Sequence, residues 1–196
     1  MSLPETSAAI IAGGRARRFG GQDKSRLLVR GRPIIVRQVT VLQQVAAEIF
    51  VVAGEAARFA DLGLVAHADR RPGCGVLGGL HTAVTVAAHD PVIAVAGDLP
   101  FLSEALLRQL VTLALEPGMD AAWVRGPRGP EPLLACYRRA AEPALRAAID
   151  AGRLRAGDLD RVLRIAEIPD VDLARFGPRD ELLANVNTPD DLARVQ

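Results

Sequence analysis

Lysine is almost missing from this 196-residue chain: of 24 basic residues 23 are arginine, and Lys24 is the sole lysine. Where arginine is the default cation, one lysine, a compact point charge rather than a planar fork, marks a position to follow. Cysteine is nearly as scarce. Cys74 and Cys136 stand far apart, with no CxxC pattern and no histidine at ligand spacing, which excludes a disulfide framework and a structural zinc site of the usual kind. The three histidines, His67, His81 and His89, show no HExxH spacing and no Ser-His-Asp arrangement, so they read as structural and hydrolytic nucleophile chemistry finds no support. Net charge is only +1, without long basic runs, which argues against a surface built to cover nucleic acid or an anionic membrane. Any cationic site has to be local. No apolar run nears the ~20 residues that cross a bilayer, and the first residues lack the basic and apolar regions of a secretory leader. The expectation is a cytoplasmic protein.

What is present is ample apolar material, 49% of the residues, enough for the core of one domain over residues 1–196. Short apolar runs alternate with helical patterns. Strands are expected at 7–12, 48–53, 64–67 and 92–96, and helices at 34–45, 78–88 and 103–115, the last with Ser103 as N-cap. That alternation predicts a three-layer α/β/α, Rossmann-like sheet. Segments 121–124 and 133–137 flank a Gly/Pro-rich turn at 125–132 and read as a long antiparallel hairpin, so the sheet should be mixed but mostly parallel. Thr188-Pro189-Asp190-Asp191 supplies an N-cap, a proline at the first helical position and two acids, so a last helix should start there.

Directly after the first strand comes Gly13-Gly14-Arg15-Ala16-Arg17-Arg18-Phe19-Gly20-Gly21-Gln22-Asp23-Lys24. Open α/β sheets bind ligands at the carboxyl ends of their strands, which is where this loop falls. Glycines let backbone N–H groups approach phosphate oxygens, and Arg15, Arg17, Arg18 and Lys24 offer four cations to a triphosphate. A flexible turn with solvated arginines is the competing reading. The segment is not a P-loop, since Asp23 stands where GxxxxGK[ST] demands glycine. Asp98, one glycine after the strand at 92–96, should project at the same sheet edge; it either caps the turn with Pro100 or holds magnesium, which accepts one or two carboxylates plus phosphates and water. Asp69, past the third strand, reads as a contact to ribose, base or metal, or equally as a solvated turn. Gly73-Cys74-Gly75-Val76-Leu77-Gly78 satisfies GxGxxG but does not follow its strand directly, so a dinucleotide fingerprint is discounted.

Ala12-Gly13-Gly14 through Arg18-Phe19-Gly20-Gly21-Gln22-Asp23-Lys24 resembles the signature of the molybdenum cofactor guanylyltransferases, the MobA-like nucleotidyltransferases. Gly75-Val76-Leu77-Gly78-Gly79-Leu80, Ala96-Gly97-Asp98-Leu99-Pro100-Phe101-Leu102 and Asn185-Val186-Asn187-Thr188-Pro189-Asp190-Asp191-Leu192 extend the resemblance over nearly the whole chain. It implies transfer of GMP from GTP to the terminal phosphate of molybdopterin, with magnesium (Mg2+) as cofactor and molybdoenzyme maturation proteins as further partners. On that resemblance Arg18, Lys24 and Asp98 are catalytic, with Asp98 the metal ligand. Ala12, Gly13, Gly14, Lys24, Asp69 and Asp98 bind nucleotide, and Gly21, Gly79, Asn185 and Asn187 lie near the acceptor. Arg153 and Arg155 are further candidates to face the acceptor. Two alternatives stand beside it: a sibling enzyme using CTP or another phosphate acceptor, and a non-catalytic nucleotide-binding adaptor.

Overall fold

A computed structural model describes residues 4–12, 24–54, 59 and 61–196. Its strands are β1 (Ser7–Ile11), β2 (Leu28–Val29), β3 (Arg32–Pro33), β4 (Glu48–Ala53), β5 (Val65–Ala68), β6 (Val92–Ala96), β7 (Ala121–Gly126), β8 (Gly129–Tyr137) and β9 (Ile165–Pro169). The helices are α1 (Ile34–Leu42), α2 (Gly75–Val86), α3 (Glu104–Ala114), α4 (Glu142–Asp150), α5 (Arg179–Leu182) and α6 (Pro189–Arg194). Seven strands form one sheet in the order β5-β4-β1-β6-β8-β7-β9, while β2 and β3 pair separately as a small antiparallel hairpin. In the large sheet only β8 runs against the rest, pairing antiparallel with both β6 and β7. The mostly parallel mixed sheet expected from the sequence is therefore the sheet observed. No helix of the described residues is long and apolar enough to cross a membrane.

The layers follow from the two-residue period of the strands. All five residues of β1 are buried, as a strand covered on both faces requires. Ala8 and Ile10 of β1, with Ile93 and Val95 of β6, pack against Ile35 and Leu42 of α1 and against Leu106, Leu107 and Leu110 of α3. Ala9 and Ile11 turn the other way and join Ala83 of α2. On that second face Leu77 and Leu80 of α2 and Leu145 and Ile149 of α4 cover Trp123, Ala135 and Tyr137. Ser103 caps α3 as expected, its hydroxyl accepting from the Leu106 N–H and donating to the Phe176 carbonyl.

The hairpin differs from its expected form. Its strands run through the Gly/Pro-rich stretch and leave only residues 127–128 as the turn. Proline is tolerated there because β6 pairs with β8 only as far as Leu134↔Val95, so residues 129–131 have one ladder partner, β7, and an open edge, while Pro132 and Leu133 fall in the irregularity and pair with neither strand. The register shifts between Trp123 and Val124, and the Tyr137 hydroxyl bonds the Pro132 carbonyl across the irregularity.

Connectivity decides where a ligand can sit. From β1 the chain moves outward to β4 and β5, then returns to β6 on the opposite side of β1. At such a reversal the loops leaving the carboxyl ends part and open a crevice.

Candidate active site

A cleft of about 620 Å³ opens there. Its walls come from the carboxyl ends of four strands: Ile11 and Ala12 after β1, Val52 to Gly54 after β4, Asp69 after β5, and Ala96 to Asp98 after β6. The start of α2 closes one side with Gly73, Gly75 and Gly79, and Lys24 and Ser25 close another. Ala12, Lys24, Asp69, Gly79 and Asp98, singled out from the sequence, thus share one cavity. Gly13, Gly14, Arg15, Arg17, Arg18 and Gly21 lie outside the described residues. Arg153 is exposed, and Arg155 lines a separate depression with Arg125, Arg128 and Arg161. Asn185 is half-buried and is not among the residues lining the cleft.

Asp98 sits at the centre of a tight turn. The Leu99 N–H returns to the Ala96 carbonyl at 3.2 Å, which puts Gly97 and Asp98 at the two middle positions. The Gly97 N–H donates to the Ile11 carbonyl at 3.0 Å, tying the turn to β1, and the Asp98 carbonyl accepts the Val186 N–H at 2.9 Å, tying it to the C-terminal segment. Behind it, the fully buried Gln38 of α1 donates from Nε2 to the carbonyls of Ala96 (2.7 Å) and Leu99 (2.9 Å). Burial pushes the Asp98 carboxyl above its ordinary range; the Lys24 ammonium pulls it back down, and Asp191 adds a smaller upward push. Glu131 of β8 is likewise raised by burial, with Arg128 opposing and the charge of Asp98 contributing.

Lys24 reaches the site through a contact no sequence period encodes. Its Nζ donates to Asn187 Oδ1 at 2.7 Å, across 163 residues of chain. Asn187 is itself held by the start of α6, where Asp191 Oδ2 accepts the backbone N–H groups of Asn187 (3.0 Å) and Thr188 (2.8 Å). The Thr188 hydroxyl accepts from the Asp191 N–H in return, completing a capping box at the helix start read from Thr188-Pro189-Asp190-Asp191.

Asp69 is engaged by its own loop. Its Oδ1 accepts from the Arg71 N–H (2.8 Å) and the Thr82 hydroxyl (3.2 Å), and that hydroxyl takes the Arg70 N–H at 2.9 Å. The carboxylate therefore fastens the turn before α2 while facing the cleft. The glycines that open α2 are needed for shape: Gly73 and Gly75 hold φ of +87° and +59°, a region L side chains avoid.

Two further glycines are required for space. A Cβ on Gly79 would stand 2.8 Å from Ile11 Cγ2, and one on Gly78 would stand 2.5 Å from the Arg71 carbonyl oxygen and 2.9 Å from Asp69 Oδ2. Alanine gains ~1 kcal/mol of helix propensity at either position, against an overpacking cost of ~1–3 kcal/mol. Gly78→Ala is expected to destabilise the more strongly, because backbone must move rather than a side chain, and Gly79→Ala to be close to neutral or mildly destabilising. Paired urea melts of the two variants check that order.

A metal here would need hard oxygen ligands. Among the described residues no group of three or more His, Cys, Asp or Glu gathers to hold an ion. One buried-side carboxylate facing a cleft of triphosphate size suits magnesium, which takes few protein ligands and completes its shell from phosphates and water.

An α/β sheet with its crevice at a chain reversal, a lysine and an aspartate lining it, and a glycine-built helix start define a nucleotide-binding enzyme of the nucleotidyltransferase class. The comparisons are specific. Residues 8–166 match the MobA-like NTP transferase domain, and the chain belongs to that family. It is 36% identical to the "Probable molybdenum cofactor guanylyltransferase" of Chloroflexus aggregans, over 97% of this chain and 93% of that one. It is 31% identical to the molybdenum cofactor guanylyltransferase of Rhodopseudomonas palustris, over 98% and 93%. Among solved structures, molybdopterin-guanine dinucleotide biosynthesis protein A of Archaeoglobus fulgidus is similar with a TM-score of 0.79 and 27% identity, covering 96% of both chains.

Proposed function

We propose that the chain, with residues 1–196 acting as one domain, transfers GMP from GTP to the terminal phosphate of molybdopterin, forming the guanine dinucleotide cofactor and pyrophosphate. The observation that carries this reading is the meeting of the sole lysine and Asp98 in one cleft at the carboxyl ends of β1 and β6. The full-length similarity to proteins named guanylyltransferase supplies the donor and acceptor.

The chemistry asks little of the protein beyond placement. An acceptor phosphate oxygen attacks the α-phosphorus of GTP, the bond to the bridging oxygen of the β-phosphate breaks, and pyrophosphate leaves with that electron pair. A phosphomonoester has a second pKa of about 6, so the nucleophile is largely ionised at neutral pH and needs no general base. Lys24 places its ammonium against the phosphates, where it offsets charge that grows on the leaving group. Asp98 would hold Mg2+, which when bound neutralises phosphate charge and orients the triphosphate. Arg18, Gly13, Gly14 and Gly21 join the phosphate cradle in this reading, Ala12 and Asp69 border the nucleotide, and Gly79, Asn185 and Asn187 border the acceptor. The near-zero net charge suits an enzyme working on small molecules rather than on a polyanion; in this reading it works in the cytoplasm and its product passes on to molybdoenzyme maturation proteins.

The test is product analysis of purified protein with molybdopterin, Mg2+ and either GTP or CTP. Guanine dinucleotide and pyrophosphate in equal amounts are expected from GTP alone. Cytosine dinucleotide from CTP, with nothing from GTP, would overturn the choice of base.

A further inference from the structure

We propose that Gln38 is a positioning residue for the metal-binding carboxylate, acting through the turn that carries Asp98; this rests on the reading of Asp98 as the magnesium ligand. Gln38 lies on α1 at the position where Ile34, Ile35 and Leu42 point into the molecule, and it is fully buried. A glutamine on such a stripe is costly unless its amide is used. Both N–H groups are used, one on the Ala96 carbonyl and one on that of Leu99, the two residues that bracket Gly97 and Asp98. Its Oε1 is buried without a partner among the described residues. The side chain is therefore kept for its two donors at the expense of an unpaired acceptor, an arrangement that packing alone would replace with leucine or methionine.

The geometry explains what the donors do. The Ala96 to Leu99 turn is closed by the Leu99 N–H on the Ala96 carbonyl, a bond shared by turn types whose central dihedrals differ. Fixing both outer carbonyls to one rigid amide, itself on a helix packed in the core, removes that freedom. Together with the Ile11 carbonyl at Gly97 and the Val186 N–H at the Asp98 carbonyl, it ties the backbone around Asp98 to α1, β1 and the C-terminal segment. Arg37, the neighbour of Gln38, adds a bond to the Pro100 carbonyl at 3.0 Å, so successive residues of α1 grip the same segment. Groups that orient a metal ligand without touching the metal commonly alter affinity or rate by about 10–100-fold when removed.

The experiment compares wild type, Gln38→Met, which keeps length and loses both donors, and Leu42→Val, a core truncation one turn further along the same helix at a residue with no hydrogen bond to offer the turn. Mn2+ binding in the presence of GTP is followed by electron paramagnetic resonance, and Mg2+ dependence of turnover by product formation. Expected for Gln38→Met is a roughly 10-fold or greater weakening of Mn2+ binding and a parallel rise in the Mg2+ needed for half-maximal rate. Leu42→Val should lower the melting temperature with neither change. Equal metal behaviour of Gln38→Met and wild type would overturn the proposal. Should Gln38→Met fail to fold, the side-chain amide resonances of Gln38 in wild type decide: they should shift on addition of Mg2+ with GTP, and unmoved resonances would overturn it too. A wild type that neither binds Mn2+ with GTP nor turns over refutes instead the assignment of Asp98 on which the proposal stands.

Discussion

Changing Asp98 to asparagine is expected to abolish magnesium-dependent transfer while leaving the metal-free protein at least as stable as wild type. The loss should be on the order of a thousandfold in kcat/KM, the several kcal/mol that metal stabilisation of a phosphoryl transition state supplies. The stability half of the result follows from the direction of the Asp98 shift. Burial raises this carboxyl above its ordinary value in the folded state, so ionising it costs folding free energy. That cost is absent below the unfolded pKa, grows as pH rises toward the folded value, and is complete above it. Asparagine carries no such cost. In thermal melts without divalent metal, the advantage of Asp98→Asn should therefore be visible at neutral pH and fade in acid. A variant that lost both activity and stability at neutral pH would mean that Asp98 serves the fold rather than the reaction.

That separation of site from scaffold also governs what the sequence could disclose. β1, β4, β6 and α3 were legible to within a residue or two because each is an uninterrupted apolar run or a capped amphipathic period, and local pattern is all they need. The start of α2 lies three residues before the expected one, since Gly75, Gly78 and Gly79 carry low helix propensity and are present for other reasons, Gly75 for its positive φ and Gly78 and Gly79 for close approach. The observed β8 begins four residues before the expected one and takes in Pro130, permitted by the open edge, and Pro132, permitted by the irregularity. α4 and β9 have no counterpart among the expected elements: β9 is five residues of exposed or half-buried edge, with Ile168 alone buried.

The site divides along the same line. Lys24 stood out by being unique and Asp98 by following a strand, both local signals. The Lys24–Asn187 contact and the nearness of Glu131 to Asp98 are tertiary, and no periodicity records them. Gln38 left a trace that could have been followed, a lone amide on the stripe formed by Ile34, Ile35 and Leu42.

Lys24→Ala should lower kcat/KM by about a hundredfold, as expected when one charge-stabilising group is removed from a phosphate site. Lys24→Arg should recover little of it, because the planar guanidinium is wider than the ammonium and cannot occupy a position defined by a 2.7 Å bond to a single amide oxygen. Asn187 then becomes the informative partner. Its Oδ1 tethers the ammonium, while the proposed function gives it a second role beside the acceptor, and the two roles predict different arithmetic. A hydrogen bond to a charged group contributes ~1.5–3 kcal/mol, so Asn187→Ala alone should cost roughly tenfold to a hundredfold. If Asn187 acts by holding Lys24, adding it to Lys24→Ala costs nothing more, since the group it holds is gone. If it binds the acceptor independently, the two losses multiply. The tether seen in the structure leads us to expect strong non-additivity in kcat/KM for GTP, with any independent loss confined to the KM of the acceptor. Steady-state kinetics of the two single variants and the double variant, with each substrate varied in turn, measure both quantities. Full multiplication with respect to GTP would show that the Lys24–Asn187 bond has no part in placing the cation for transfer.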